Sequence, residues 1–161
     1  MNHDIASTIR NYYPKLFVKE TIQNDFKLPP EKYDGHIEYK RTLVNCDNIK
    51  IEQYATQMKW RIFQRKKLRA TYFIGVDDDG SVYGLDNNEL FESFKCFIEI
   101  AKRINASIIG VNVIQINAKT IIKTGVMKKK WKMNILISKT IIIIDIFTIF
   151  MKISITRICY N

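Results

Sequence analysis

At 161 residues the chain is long enough for one domain with a real core and too short for two full ones. Its 47% hydrophobic and 26% charged composition excludes wholesale disorder. The formal charge of +10 invites a phosphate-binding reading, but the excess is uneven: residues 1–118 hold 17 Lys and Arg against 15 Asp and Glu, whereas residues 119–161 hold 9 against Asp145 alone.

Residues 1–27 show loose helical periodicity at Ile5, Ile9, Tyr12 and Tyr13, interrupted by Pro14, and carry no motif. Pro29-Pro30 fixes two φ angles and removes two N–H donors, which marks a rigid entry to a domain that begins near Leu28. After the Asp34-Gly35 turn, the alternation in residues 36–44 predicts a half-buried strand. Asp47 then stands as an N-cap for a helix over residues 49–67, with Ile51, Tyr54, Ala55, Met58 and Ile62 on one stripe. Residues 71–76 and 81–85 around Asp77-Asp78-Asp79-Gly80 predict a β-hairpin. Asn87 or Asn88 is expected to cap a second helix with a wide apolar face, from Leu90 through Phe94 and Phe97 to Ile104. Asn105 is placed to end it in the left-handed conformation. Residues 107–116 predict a further strand.

The expected organisation is thus an N-terminal extension (1–27), an α+β module of order β-α-β-β-α-β with a mixed sheet and two helices (28–118), and an Ile- and Lys-rich tail (119–161). Residues 134–161 contain eleven Ile in 28 positions without turn residues. Residues 133–151 are nearly long enough to cross a bilayer, although Lys139 and Asp145 each cost about 2.5–3.5 kcal/mol there while each Ile returns about 0.3–0.6. The two readings of this stretch are a membrane tether and the product of a frame-shifted or read-through AT-rich sequence.

Cys46, Cys96 and Cys159 are widely spaced, odd in number and accompanied by only two histidines, which excludes a zinc site or a structural disulfide framework. With no signal peptide at the N-terminus, a reducing cytoplasmic setting is expected.

Three local patterns touch on chemistry. Gly75-Val-Asp-Asp-Asp-Gly80-Ser81 has the glycine spacing of a phosphate loop but no following Lys, and three carboxylates would repel a polyphosphate, so it reads as turn chemistry and not as a nucleotide site. As a calcium loop it would place Asp86 where a bidentate Glu belongs. Glu38-Tyr39-Lys40 has the acidic-x-Lys form of metal-dependent nucleases, with Glu38 and Asp77 as cation ligands and Lys40 on the phosphate; the alternative is the exposed face of a strand. Lys59, Arg61, Arg65, Lys66, Lys67 and Arg69 form the strongest basic cluster, either a solvated helix end or a set of phosphate contacts for RNA.

The residues Leu28-Pro-Pro-Glu31, Asp34-Gly35, Ile37-Glu-Tyr-Lys40, Leu43-Val-Asn45, Thr56-Gln-Met-Lys-Trp-Arg61, Ile74-Gly-Val-Asp77, Gly80 and Gly84-Leu85 together resemble the N-terminal region of the GTP-binding protein 1 and 2 family. Those proteins are translational GTPases related to elongation factor Tu. The resemblance covers residues 28 to about 117. It implies an accessory module that precedes a GTPase domain, with RNA or the translation machinery as partner. The family's phosphate loop and Asn-Lys-x-Asp motif match no position here, so the resemblance implies a truncated relative and carries over neither GTP nor magnesium. More distantly, the Glu-aromatic-Lys strand and the Ile-Gly-Val-Asp-Asp hairpin are similar to the Schlafen-type AlbA-like domain, some of whose members cut RNA. Tyr33 stands here where those nucleases place an acid.

Overall fold

A computed structural model describes residues 5–22 and 26–129. These residues fall in one compact unit, Met1–Lys129, and the stretch 130–161, with the 133–151 segment inside it, lies outside the described residues. The elements are α1 (Ile5–Tyr12), β1 (Phe17–Ile22), β2 (Ile37–Lys40), α2 (Asn48–Phe63), β3 (Arg69–Ile74), α3 (Asn87–Arg103), β4 (Ala106–Ile116) and β5 (Lys119–Lys128). The class is α+β, with a mixed five-stranded sheet and three helices.

Strand order is β1-β4-β5-β3-β2. The outer pairs, β1 with β4 and β2 with β3, are parallel; β5 runs antiparallel to both of its neighbours. β5 is therefore the central strand, although it lies past the boundary expected at residue 118. Its inward set of Ile122, Thr124 and Val126 is buried. A two-residue turn with Asn117 at φ 53° returns the chain from Ile116 to Lys119. β1 also falls outside the expected 28–118 module. It is an edge strand exposed at four of its six positions, which leaves no alternation to read.

The predicted hairpin is reduced to a single bridge between Val76 and Val82. Both edges of β3 are already occupied, by β2 and β5, so the return arm has no free edge to pair with. Gly75, at φ +96°, turns the chain out of the sheet at the end of β3. The turn chemistry itself is present: Gly80 N donates to Asp77 O at 2.8 Å, and Asp79 Oδ1 accepts from Ser81 N at 2.8 Å.

α2 starts where expected, with Asp47 accepting from Lys50 N at 2.8 Å, but stops at Phe63 instead of residue 67. Leu68 at φ 51° closes a tight turn, its N donating to Arg65 O at 2.8 Å, and directs the chain into β3. α3 is capped one residue earlier than predicted, by Asp86, which shares a reciprocal capping box with Glu89. Asn105 ends it at φ 52°, as expected.

All three helices pack on one sheet face. Their core centres on Phe97, Met58, Ile62 and Ile100 against Tyr72, Ile74, Val111, Val113, Ile122 and Val126. Phe97 is fully buried and meets Tyr72 edge to face at 5.2 Å between ring centroids; burying such a side chain contributes about 1.5–3 kcal/mol. The opposite face is covered at one end, where Phe26, Leu28 and Val82 pack on Tyr39, Phe73, Ile114, Ile116 and Ile121. The segment that follows residue 26 is held there by Leu28 N to Gly80 O (3.1 Å) and Glu31 N to Asp78 O (2.7 Å).

Candidate nucleic-acid interface

The alternation of β2 sends Glu38 towards α2 and Tyr39 to the opposite face. Glu38 is 1% exposed and lies between two cations: Lys40 Nζ at 2.5 Å on Oε1 and the Arg61 Nε on Oε2. Arg61, a helix residue at the centre of the expected basic cluster, is 3% exposed. Its Nη2 pairs with Glu31 Oε1 at 2.5 Å, and its Nη1 reaches the carbonyls of Lys32 (2.9 Å), Tyr33 (2.9 Å) and Gly35 (3.3 Å). The second oxygen of Glu31 accepts from Tyr39 N. Two acids and two bases thus form one ion-pair network, with Glu38 and Arg61 buried and Glu31 and Lys40 half-buried. Its geometric effect is to fasten residues 29–36 against α2.

Burial is the main influence on Glu31 and raises its carboxyl above the usual range, with Arg61 and the Tyr39 amide acting in the opposite sense. His36 is held low by burial and by Arg65. The Tyr72 hydroxyl, opposite Glu38 in the strand register, is pushed well above the ordinary phenol value by burial and then by Glu38. It has no hydrogen-bond partner among the described residues.

This arrangement decides what the expected nuclease constellation can do. Glu38 and Lys40 are brought together, but as an internal ion pair with both Glu38 oxygens occupied by protein cations. Asp77 does not join them; it pairs with Arg41 Nε at 2.6 Å on the turn after β3. Among the described residues no group of three His, Cys, Asp or Glu side chains is placed to hold a metal.

The basic cluster is likewise divided by the fold. Arg61 faces inward, its guanidinium donating to two carboxylates and three carbonyls. Lys59, Arg65, Lys66, Lys67 and Arg69 are exposed, the last four on and just after the turn that ends α2.

Along α2 lies a groove of about 680 Å³ that the residue pattern did not single out, with Glu31 among its lining residues. Its aromatic wall is Tyr33, 86% exposed, and Trp60, 38% exposed, with ring centroids 5.7 Å apart and planes inclined at 54°. Gln53, Thr56 and Gln57 line it from α2, and Asp78 closes one side. The buried network builds this wall: Arg61 holds the Tyr33 carbonyl with Nη1 and sets its guanidinium 4.8 Å from the Trp60 ring centroid. Thr56, Gln57, Trp60 and Arg61 all belong to the Thr-Gln-Met-Lys-Trp-Arg stretch on which the resemblance rests, and Glu31 to its Leu-Pro-Pro-Glu stretch; Tyr33 belongs to neither.

The described part of the chain is therefore a small mixed-sheet α+β domain with an aromatic and amide groove along α2 and an exposed basic turn after that helix. Uncharacterized protein R625 of Acanthamoeba polyphaga mimivirus is 50% identical to it over 129 residues, 80% of this chain and 69% of that one, and the chain belongs to the family of that viral protein. GTP-binding protein 2 of Mus musculus and of Homo sapiens are each 44% identical over 81 residues, half of this chain. The match covers 13% of each of those two proteins, so this chain is similar to a small part of them only. No protein-family model matches the chain. The Schlafen-type resemblance draws no support from these relatives. Among the described residues no helix is long and apolar enough to cross a membrane.

Proposed function

We propose that this chain is a binding module without chemistry of its own, equivalent to an accessory segment of a GTP-binding elongation-factor-like protein, and that it contacts single-stranded RNA through the C-terminal part of α2. The observation that carries this reading is that α2, which lines the Tyr33–Trp60 groove, leads directly into the exposed Arg65, Lys66 and Lys67 turn. Aromatic rings take bases by stacking, amides such as Gln53 and Gln57 reach base edges, and cations follow the phosphates. A duplex would offer its phosphates but not its stacked faces. The similarity to GTP-binding protein 2 supports the accessory role. The translation machinery, in the cytoplasm, is the setting that the elongation-factor resemblance suggests.

Titration of the chain into labelled single-stranded RNA at several salt concentrations tests this. Triple reversal R65E/K66E/K67E should lower the slope of log K on log salt by about 2, at about 0.7 per lost phosphate contact. Trp60→Ala should weaken binding by about 1–3 kcal/mol while leaving that slope unchanged. Equal binding by all three proteins would sink the RNA reading. Measurable GTP binding by the chain would sink the proposal that it lacks nucleotide chemistry, since no Gly-x-x-x-x-Gly-Lys-Ser/Thr occurs in it.

A further inference from the structure

After β2 the chain crosses the first half of α3, and this crossing is held by hydrogen bonds at one point. Leu43 N donates to Ser93 Oγ at 3.0 Å, and Thr42 Oγ1 lies 3.2 Å from the same oxygen. Leu43 and Ser93 are both buried, at 2% and 0% exposure. Three residues further along each segment stand Cys46 and Cys96, the second one helical turn down α3 from the Ser93 anchor. Both are half-buried, both pack on the main core, and Cys46 stands close enough to act, after burial, on the Cys96 thiol. Cys46 Sγ also approaches Leu43 O at 3.2 Å, which draws it back towards the Ser93 anchor. Asn45, at φ 52°, makes the reversal that brings it there just before the Asp47 cap of α2.

From this placement we propose that Cys46 and Cys96 are a redox pair, free in the reduced protein and joined as a disulfide by hydrogen peroxide. In the first step the Cys46 sulfur attacks the peroxide O–O bond, becoming a sulfenic acid as one water leaves. In the second, the Cys96 sulfur attacks the Cys46 sulfur and expels a second water. One peroxide is reduced to two waters and the two thiols lose two electrons and two protons. Cys46 takes the first step because it sits on the loop, whereas burial raises the Cys96 thiol well above its ordinary value and keeps it protonated. The second step is therefore the slow one and quickens with rising pH. The bond would tie the N-terminal end of α2 to the middle of α3 and close a long loop that contains α2 and β3. A transient disulfide of this kind suits a reducing compartment, where redox-sensing pairs occur and structural bridges do not.

The test uses the full chain carrying only Cys159→Ser, which leaves Cys46 and Cys96 as its two thiols. Hydrogen peroxide is added to the folded protein, thiols are counted after denaturation, and peptides are mapped without reductant. The expected result is loss of both thiols, a monomer lighter by two hydrogens, a cross-linked peptide pair containing residues 46 and 96, and full recovery on adding dithiothreitol. A second chain with Cys46→Ser as well should stay uncross-linked and keep Cys96 as a thiol under the same treatment. Sulfinic acid at either residue without a cross-link, a disulfide between two molecules, or two persistent thiols would each overturn the proposal. None of these readouts depends on RNA binding.

Discussion

Arg61 shows how one side chain serves two levels of the structure. Its guanidinium neutralises Glu31 and Glu38 and binds three carbonyls of the 32–35 loop. Removing one partner of such a buried network leaves the others uncompensated, so Arg61→Ala should cost about 3–5 kcal/mol in denaturant titration. Arg61→Lys should recover little, because an ammonium cannot span both carboxylates and the carbonyls. Tyr72 supplies a prediction of opposite sign. Its hydroxyl is buried without a partner, so Tyr72→Phe should raise stability by about 1 kcal/mol near neutral pH. The phenol is raised in the fold, so above about pH 10 the unfolded chain releases a proton that the folded chain keeps. Stability consequently falls as pH rises through that range, and the fall should be shallower in Tyr72→Phe when thermal midpoints are followed against pH. At Gly80, φ is +84° and an added Cβ would stand 2.0 Å from Leu28 O. Gly80→Ala should therefore displace the 28–31 segment and lower stability by more than the roughly 0.4–1 kcal/mol that a compatible Gly→Ala gains, read by the same titration.

At the scale of elements, helices and their ends were legible because they depend on local chemistry. The stripe of α2, the Asp47 cap and the left-handed Asn105 all act within a few residues. The strands were less so. β5 alternates at Ile122, Thr124 and Val126, but it follows a change of composition, and only its pairing with β3 and β4 makes it central. The hairpin failed for the converse reason, since its first strand spends both edges on other partners. A chain ended at residue 118 loses the strand that joins the β1-β4 and β3-β2 pairs, and should give no cooperative unfolding transition by circular dichroism. A chain ended at residue 129 should retain one, because the compact unit closes there.

For the whole molecule the charge balance shifts once β5 is included, because Lys119, Lys123, Lys128 and Lys129 join the described unit. Residues 1–129 then hold 21 Lys and Arg against 15 Asp and Glu, a moderate positive excess. The viral relative is matched over 69% of its length and GTP-binding protein 2 over 13%, so related sequence makes up most of one protein and a small part of the other. The amino-acid sequence by itself determined the α+β class, the N-cap of α2, the left-handed end of α3, the apolar stripes of both helices and the Asp-Gly turn. Each of these is set by residues close together in the chain. Tertiary structure alone decided that Glu38 and Arg61 neutralise each other inside the fold, that Asp77 stands apart from them, and that Tyr33 and Trp60 share one groove. Those outcomes depend on which strands are neighbours and which face of α2 meets the loop, and burial there turns side chains that look like surface chemistry into internal ion pairs.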